Sequence, residues 1–211
     1  MLYRPIAMNP LVTLAQSLGI AFASGISLYA TIALLGIGER MHWIGPLPGA
    51  LGPLESIPII ALAGSLAIVE FLATLIPGVA AAWESVHTAI RPTAAAALAV
   101  LTAWHASPVL VMLAALLGGG LAFTTHAAKL GVRVAIDASP EPLTNGVANV
   151  AEIGVVAWLC SQIWHHPFIT LALALLLLVV VILALRAIWH MLRSAFSEIL
   201  RPGSTGPGAR T

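Results

Sequence analysis

The chain has 211 residues, of which 60% are apolar and only 8% are charged, and its mean hydropathy is +1.01. A soluble domain is about 45–50% apolar and about 25% charged, so the composition excludes an ordinary soluble protein and predicts an all-α polytopic bundle of membrane helices. Nine Lys and Arg against eight Asp and Glu give a net charge of +1, which excludes the basic surface that a nucleic-acid-binding protein needs.

The apolar stretches predict six membrane-spanning helices. A spanning helix needs about 20 mostly apolar residues to cross a hydrocarbon layer of about 30 Å. The first stretch is so long that we expect it to tilt or break, with Ser24-Gly25 as the weak point, and the third is short for a span. The approximate limits of the six spans are 10–38, 58–76, 92–104, 108–133, 144–164 and 167–188.

The segment between the second and third spans, residues 79–90, predicts a seventh, different element. It is bounded by Pro77-Gly78 and Arg91-Pro92 and is too short and too polar to cross a membrane. We expect a re-entrant or interfacial helix there. The sixth span continues as a basic helix to about Leu200, which completes a single transmembrane domain over residues 1–200, and the Gly-, Ser- and Pro-rich segment 201–211 is expected to be disordered.

The basic residues predict the orientation in the membrane. Lys and Arg accumulate on the cytoplasmic side of membrane proteins. With six spans, Arg40 lies alone on one side, and eight basic residues lie on the side of both termini. These eight are Arg4, Arg91, Lys129, Arg133, Arg186, Arg193, Arg201 and Arg210. Both termini are therefore expected in the cytoplasm. A five-span arrangement would separate Arg4 from the C-terminal arginines and weaken the bias.

Two halves of the chain show a weak internal similarity. An offset of 98 residues aligns Pro10 with Pro108 and Ser27 with Thr125, and the second and fifth spans each carry one acid, Glu70 and Glu152. Three spans in each half would form an inverted repeat of the kind found in transporters. The alternative is that alanine- and leucine-rich helices resemble one another by chance.

Ionisable residues inside the spans indicate a polar cluster. Each costs about 2.5–3.5 kcal/mol at the centre of a membrane helix unless it finds a partner or water. His126, Lys129 and Arg133 are separated by three and four residues, a spacing that places them on one helical face. We expect this basic face to pair with Glu70 and Glu152 in the cytoplasmic half of the bundle.

Four more residues join the candidate site: Glu84 and His87 from segment 79–90, Arg91 at the start of the third span, and Tyr29 at mid-depth in the first. The full set of candidate substrate- or ion-binding residues is Tyr29, Glu70, Glu84, His87, Arg91, His126, Lys129, Arg133 and Glu152. As alternatives, Lys129 and Arg133 extend to lipid headgroups, and Glu70 and Glu152 form purely structural ion pairs.

The sequence predicts no metal, no cofactor and no catalytic residue. Glu84 and His87 have the Glu-x-x-His spacing of di-iron sites, but such sites need two copies of the motif and two more carboxylates, and the chain has one copy. No metalloprotease, nucleophile-elbow or phosphate-loop motif occurs.

Three stretches together resemble a known family. They are Gly25-Ile-Ser-Leu-Tyr-Ala, the segment Glu70 to Pro92 with Ile-Pro-Gly-Val inside it, and His126-Ala-Ala-Lys. This combination, with Ser139-Pro-Glu-Pro and Asn145 further on, is similar to the bacterial membrane family catalogued as domain of unknown function four-one-two-six. The resemblance implies a multi-span protein of the bacterial inner membrane with no established activity.

The chain departs from this family at three positions. Thr74, Leu75 and Ala80 stand where the family tends to have Asp, Lys and Asp. Metal or proton handling that depends on those three charges is therefore not implied for this chain.

Three functions are compatible with the sequence. The first is a small transporter or channel-like protein for a small anionic solute or a lipid phosphate, in which Lys129 and Arg133 attract the anion and Glu70 or Glu152 carries a proton. The second is a non-transporting scaffold or assembly subunit, and the third is an intramembrane enzyme acting on a lipid-linked substrate. Membrane lipids, the solute, protons and a second copy of the chain are the expected partners. A solvent-reachable cavity lined by Glu70, His126 and Glu152 favours the first function, and a dry, fully paired core favours the second.

Overall fold

A computed structural model describes residues 9–137 and 142–199. Its regular elements are all helices, which confirms the all-α prediction. A short 3-10 helix, Gly52–Glu55, precedes α3. The seven α-helices are α1 (Pro10–Ile26), α2 (Leu28–Arg40), α3 (Ile57–Ala73), α4 (Pro77–Thr102), α5 (Pro108–Asp137), α6 (Pro142–His165) and α7 (Pro167–Ile199).

Helix α1 is the central element, because it packs on α4, α5 and α6 while α4 and α5 pack on each other. Small residues permit these close crossings. A Cβ atom at Gly25 would lie 2.6 Å from the carbonyl oxygen of Ala122, and one at Gly118 would lie 2.8 Å from the Cβ of Ala99. Such residues let helix backbones approach closely, which is how membrane helices gain packing energy without a hydrophobic driving force between them.

The first predicted span is broken, and the break lies at Ser27 rather than at Ser24-Gly25. Ser27 is extended, with φ −146° and ψ 107°. The stretch 10–38 is therefore two helices, and the expected break lies slightly further along the chain than predicted. The break is satisfied by side chains from other helices, since the carbonyl of Ile26 accepts a hydrogen bond from Lys129 Nζ at 3.0 Å and the Ser27 hydroxyl donates to Glu70 Oε2 at 3.0 Å.

Segment 79–90 and the short third span are not separate elements, which corrects the prediction of a re-entrant or interfacial helix followed by a span over 92–104. They form the single helix α4 of 26 residues, with Pro92 inside it. At about 1.5 Å per residue it is about 39 Å long, enough to cross a membrane. Pro92 removes only one donor, and an alanine run over 94–97 favours helix directly after it.

Among the described residues, three helical segments are long and apolar enough to cross a membrane: Pro108–Arg133, Leu143–His165 and Pro167–Ala184. Helices α1 and α3 are apolar but have 17 residues each. The structure thus has the helices of a membrane protein, while the six spans and the inverted repeat stay predictions. One compact unit ends at Leu178, and the C-terminal part of α7 from Val179 belongs to a second. The predicted disordered segment 201–211 lies outside the described residues.

Candidate functional site: a buried charge network

Lys129 on α5 lies at the centre of a group of buried charges. Its Nζ atom is 3.0 Å from Glu84 Oε1, 3.0 Å from Glu152 Oε2 and 3.3 Å from Glu70 Oε1. The fourth oxygen around it is the Ile26 carbonyl at the helix break. One ammonium group therefore joins α3, α4 and α6 to the end of α1.

Arg91 on α4 forms the second junction and is fully buried. Its Nη1 atom lies 2.9 Å from Glu84 Oε2 and 2.9 Å from His126 Nδ1, and its Nη2 atom pairs with Glu70. Glu70 and Glu84 thus each contact both Arg91 and Lys129. This shared pairing holds α3, α4 and α5 together at one depth.

Arg133 on α5 forms the third junction. Its Nη2 atom lies 3.1 Å from Glu152 Oε1 and donates to the side-chain oxygen of Asn149, while Nη1 donates to the Thr74 carbonyl at 3.4 Å. Asn149 Nδ2 in turn donates to the Phe71 carbonyl at 3.0 Å. Polar side chains therefore connect α5 and α6 to the C-terminal end of α3.

These six side chains, which we call the charge network, are balanced in charge. They comprise three carboxylates (Glu70, Glu84 and Glu152) and three cations (Arg91, Lys129 and Arg133). Breaking a buried ion pair by removing one partner typically costs 3–5 kcal/mol. The zero net charge is what allows so many ionised groups to lie inside a bundle of apolar helices. Glu152 has the most exposed side chain of the six, at 22%.

Hydrogen-bond partners assign the buried His126 to the neutral form. The Thr88 hydroxyl donates to the Glu84 carbonyl at 3.0 Å, so it accepts the bond from His126 Nε2, and Nδ1 accepts from Arg91. His87 Nδ1 donates to the Trp83 carbonyl at 2.7 Å, and His87 Nε2 forms a hydrogen bond with the Tyr29 hydroxyl at 3.0 Å. A neutral His126 leaves the charge balance of the network unchanged.

The helical spacing of the sequence explains how each element presents its side chains. Glu84, Thr88 and Arg91 are separated by four and three residues along α4, and His126, Lys129 and Arg133 by three and four along α5. Such spacings bring side chains to one face of a helix. Since α4 and α5 pack on each other, their two polar faces meet.

A small cavity borders the charge network. Its volume is about 20 Å³, and its lining includes Glu70, Asn149 and Glu152 together with Ser27, Phe71 and Thr74. A water molecule needs at least about 10–15 Å³ of such volume, so the cavity has room for about one. His126 is not part of the lining. The sequence criterion for a transporter, one solvent-reachable cavity lined by Glu70, His126 and Glu152 together, is therefore not met.

The structure brings all nine candidate residues into one region. Seven are joined by direct contacts, namely the charge network and His126, and Tyr29 and His87 form a pair beside them. Lys129 and Arg133 are 8% and 4% exposed, so the alternative in which they extend to lipid headgroups is wrong. Sequence reasoning missed Thr88 and Asn149, although Thr88 lies between Glu84 and Arg91 and Asn149 is an amide inside an apolar span.

Within the described ranges, no group of three or more His, Cys, Asp or Glu is placed to hold a metal ion. The fold and the charge network define an all-α protein of membrane type that buries a neutral cluster of six charges.

The chain belongs to the family described as Domain of unknown function (DUF4126), whose model matches residues 14–187. This confirms the resemblance seen in the sequence. No curated protein and no solved structure matches the chain. The family description assigns no activity, so function has to be argued from the charge network.

Proposed function

We propose that the protein is a small proton-linked transporter of the membrane, and that the charge network is its working site. The observation that carries the proposal is the helix break at Ser27, where a free backbone carbonyl and three carboxylates converge on Lys129. Secondary transporters build their substrate and ion sites at breaks of this kind, with unwound carbonyls and helix ends facing the site.

Glu152 is the carboxylate through which we expect the proton to enter. Its side chain is the most exposed of the network and lines the water-sized cavity. A proton on Glu152 leaves two carboxylates against three cations, and it weakens the pairs that Glu152 makes with Lys129 and Arg133. The network then carries a net charge of +1 and attracts an anion.

The net charge of the network couples entry of the proton to entry of the small anionic solute predicted from the sequence. In the ionised network Lys129 and Arg133 are already neutralised, so an anion entering alone would be unfavourable. An anion that enters with a proton keeps the network neutral. Coupled uptake of one proton and one monovalent anion is therefore the activity that the charges favour.

Reconstitution into liposomes tests this activity. Purified protein is sealed into vesicles with a pH-sensitive dye, and anions such as phosphate and short carboxylates are added outside. We expect internal acidification that depends on the anion, and its loss in Glu152→Gln. Glu55→Gln, an exposed acid on the 3-10 helix outside the network, is the matched control and keeps the wild-type flux. Fluxes equal to those of empty vesicles for the whole panel would contradict the proposal.

A second candidate is the non-transporting scaffold, and one observation favours it. The six charges neutralise one another and the adjoining cavity holds about one water, which approaches a dry, paired core. If the protein is a scaffold, the charge network only holds the helices together. Replacing both Arg133 and Glu152 by methionine should then leave the cellular role of the protein intact. Nothing in the described geometry adds support to the intramembrane enzyme.

A further inference from the structure

Helices α3 and α6 leave a gap between them. In the described part of the chain, α3 packs on α2 and on α4, but it does not pack along α6. Asn149 of α6 reaches across the gap to the Phe71 carbonyl, and Arg133 of α5 reaches the Thr74 carbonyl. The charge network is thus separated from the side of the bundle by side chains rather than by a packed helix.

The gap contains an apolar groove of about 560 Å³. Phe71 and Leu75 of α3 line one side, and residues of the first turns of α6 line the other: Leu143, Gly146, Val147, Val150 and Ala151. Phe71 also lines the small cavity that holds Glu70 and Glu152. An apolar groove and a polar cavity therefore meet at one side chain.

We propose that this groove binds an anionic lipid, with one acyl chain against Phe71, Leu75 and Val150 and the phosphate headgroup on Arg133. The inference rests on the proposed function, because the headgroup takes the place of Glu152 after Glu152 is protonated. The inference extends the proposed function by naming the class of substrate, an amphiphilic anion that enters the site laterally from the bilayer.

Charge complementarity supports this occupant. Arg133 Nη2 is 3.1 Å from Glu152, and Arg133 Nε is buried without a hydrogen-bond partner among the described residues. The groups facing Glu152 are Lys129 and Arg133 from α5, with Glu70 from α3 also on Lys129 and Glu84 from α4 behind it. With Arg91 on Glu70 and Glu84, protonation of Glu152 leaves the charge network at +1, which a singly charged phosphate headgroup neutralises.

The apolar lining of the groove favours a lipid over a free phosphate ion. Both offer the same headgroup chemistry to Arg133, but only a lipid fills the apolar groove. An acyl chain in the groove gains van der Waals contact with the side chains that line it, and a free ion gains nothing from the groove.

Photo-crosslinking tests the site directly. Purified protein in phosphatidylcholine nanodiscs receives phosphatidic acid with a diazirine on one acyl chain, and labelled peptides are located by mass spectrometry. We expect labelling on Phe71, Leu75 and the start of α6. Glu152→Gln, which mimics the protonated acid, should be labelled several-fold more strongly than the wild type.

Two valines on α6 provide a matched pair of variants. Val150 lines the groove and Val155 does not, and both are exposed, at 63% and 47%. Val150→Trp should lower the labelling at least several-fold, and Val155→Trp should keep it. Equal labelling in the two variants would overturn the site, as would competition by inorganic phosphate as effective as by unlabelled phosphatidic acid.

The binding readout is independent of flux. Specific labelling in protein that gives no anion flux in liposomes supports the lipid site and counts against the transporter. Proton-linked flux of small anions without labelling of the groove supports the transporter and overturns the lipid site.

Discussion

Arg91 is the residue on which the charge network depends most. It is fully buried and pairs with both Glu70 and Glu84, while its neighbour Lys129 is shared among three carboxylates. Removing Arg91 therefore leaves two buried carboxylates with a single shared cation. A buried charge without its partner is among the most costly defects in a folded protein.

Arg91→Met should lower the free energy of unfolding by about 3–5 kcal/mol, the usual cost of breaking a buried ion pair. Adding Glu84→Gln returns the network to two carboxylates and two cations, so the double variant should be more stable than Arg91→Met alone. Thermal unfolding in detergent measures both. Arg186→Met, at an exposed side chain, is the control, and an equal loss in Arg91→Met and Arg186→Met would contradict the account of the network.

The hydrogen bond between Tyr29 and His87 is expected to contribute less to the free energy of unfolding than the ion pairs of Arg91. Tyr29→Phe removes the hydroxyl that forms a hydrogen bond with His87 Nε2 and should cost about 0.5–1.5 kcal/mol, the net value of a typical hydrogen bond. A double-mutant cycle with His87→Phe separates this bond from other effects of each change. A coupling energy near zero would show that the two side chains do not stabilise each other.

At the scale of elements, the contact between α1 and α5 depends on a glycine. Gly25 faces the Ala122 carbonyl with no room for a Cβ atom, whereas a Cβ at Gly120 would meet nothing within 4 Å. Gly25→Ala should therefore force the helices apart and cost about 1–3 kcal/mol, as overpacked cores do. Gly120→Ala should be neutral or stabilising because alanine favours helix by up to about 1 kcal/mol. Unfolding midpoints that move together would contradict this.

At the level of the helices, the continuity of α4 could not be predicted from the sequence of that segment alone. Glu84 and His87 made the segment 79–90 too polar for a span by its own composition, and Arg91-Pro92 marked a natural boundary. Their partners, Glu70 on α3 and His126 and Lys129 on α5, are distant in sequence. Hydropathy averages a local window, so it cannot count charges that are neutralised by another helix.

For the molecule as a whole, the charge network reduces the number of basic residues that can indicate its orientation in the membrane. Three of the eight basic residues counted on the side of the termini, Arg91, Lys129 and Arg133, are neutralised by carboxylates. The positive-inside bias then rests on Arg4, Arg186, Arg193, Arg201 and Arg210 against Arg40. The bias still favours cytoplasmic termini, and α4, with 26 residues, has the length that the predicted count of six spans requires.

Reporter fusions test this topology. Alkaline phosphatase, active only outside the cytoplasm, should be active when fused after residues 46, 105 and 166 and inactive after residue 76. Green fluorescent protein should fluoresce at both termini. Termini on opposite sides would mean five spans and would remove α4 from the membrane-crossing set. Homodimer formation likewise stays a prediction.

The sequence by itself determined the membrane class, the family, the charged residues at depth, and the need for those charges to find partners, because transfer of an isolated charge into a bilayer is unfavourable whatever the fold. Only the tertiary structure decided the break at Ser27, the continuity of α4, the three-to-three balance of the charge network and the gap between α3 and α6. Each of these depends on contacts between helices far apart in the chain, and a periodic apolar pattern shows which residues avoid water without showing which residues they meet.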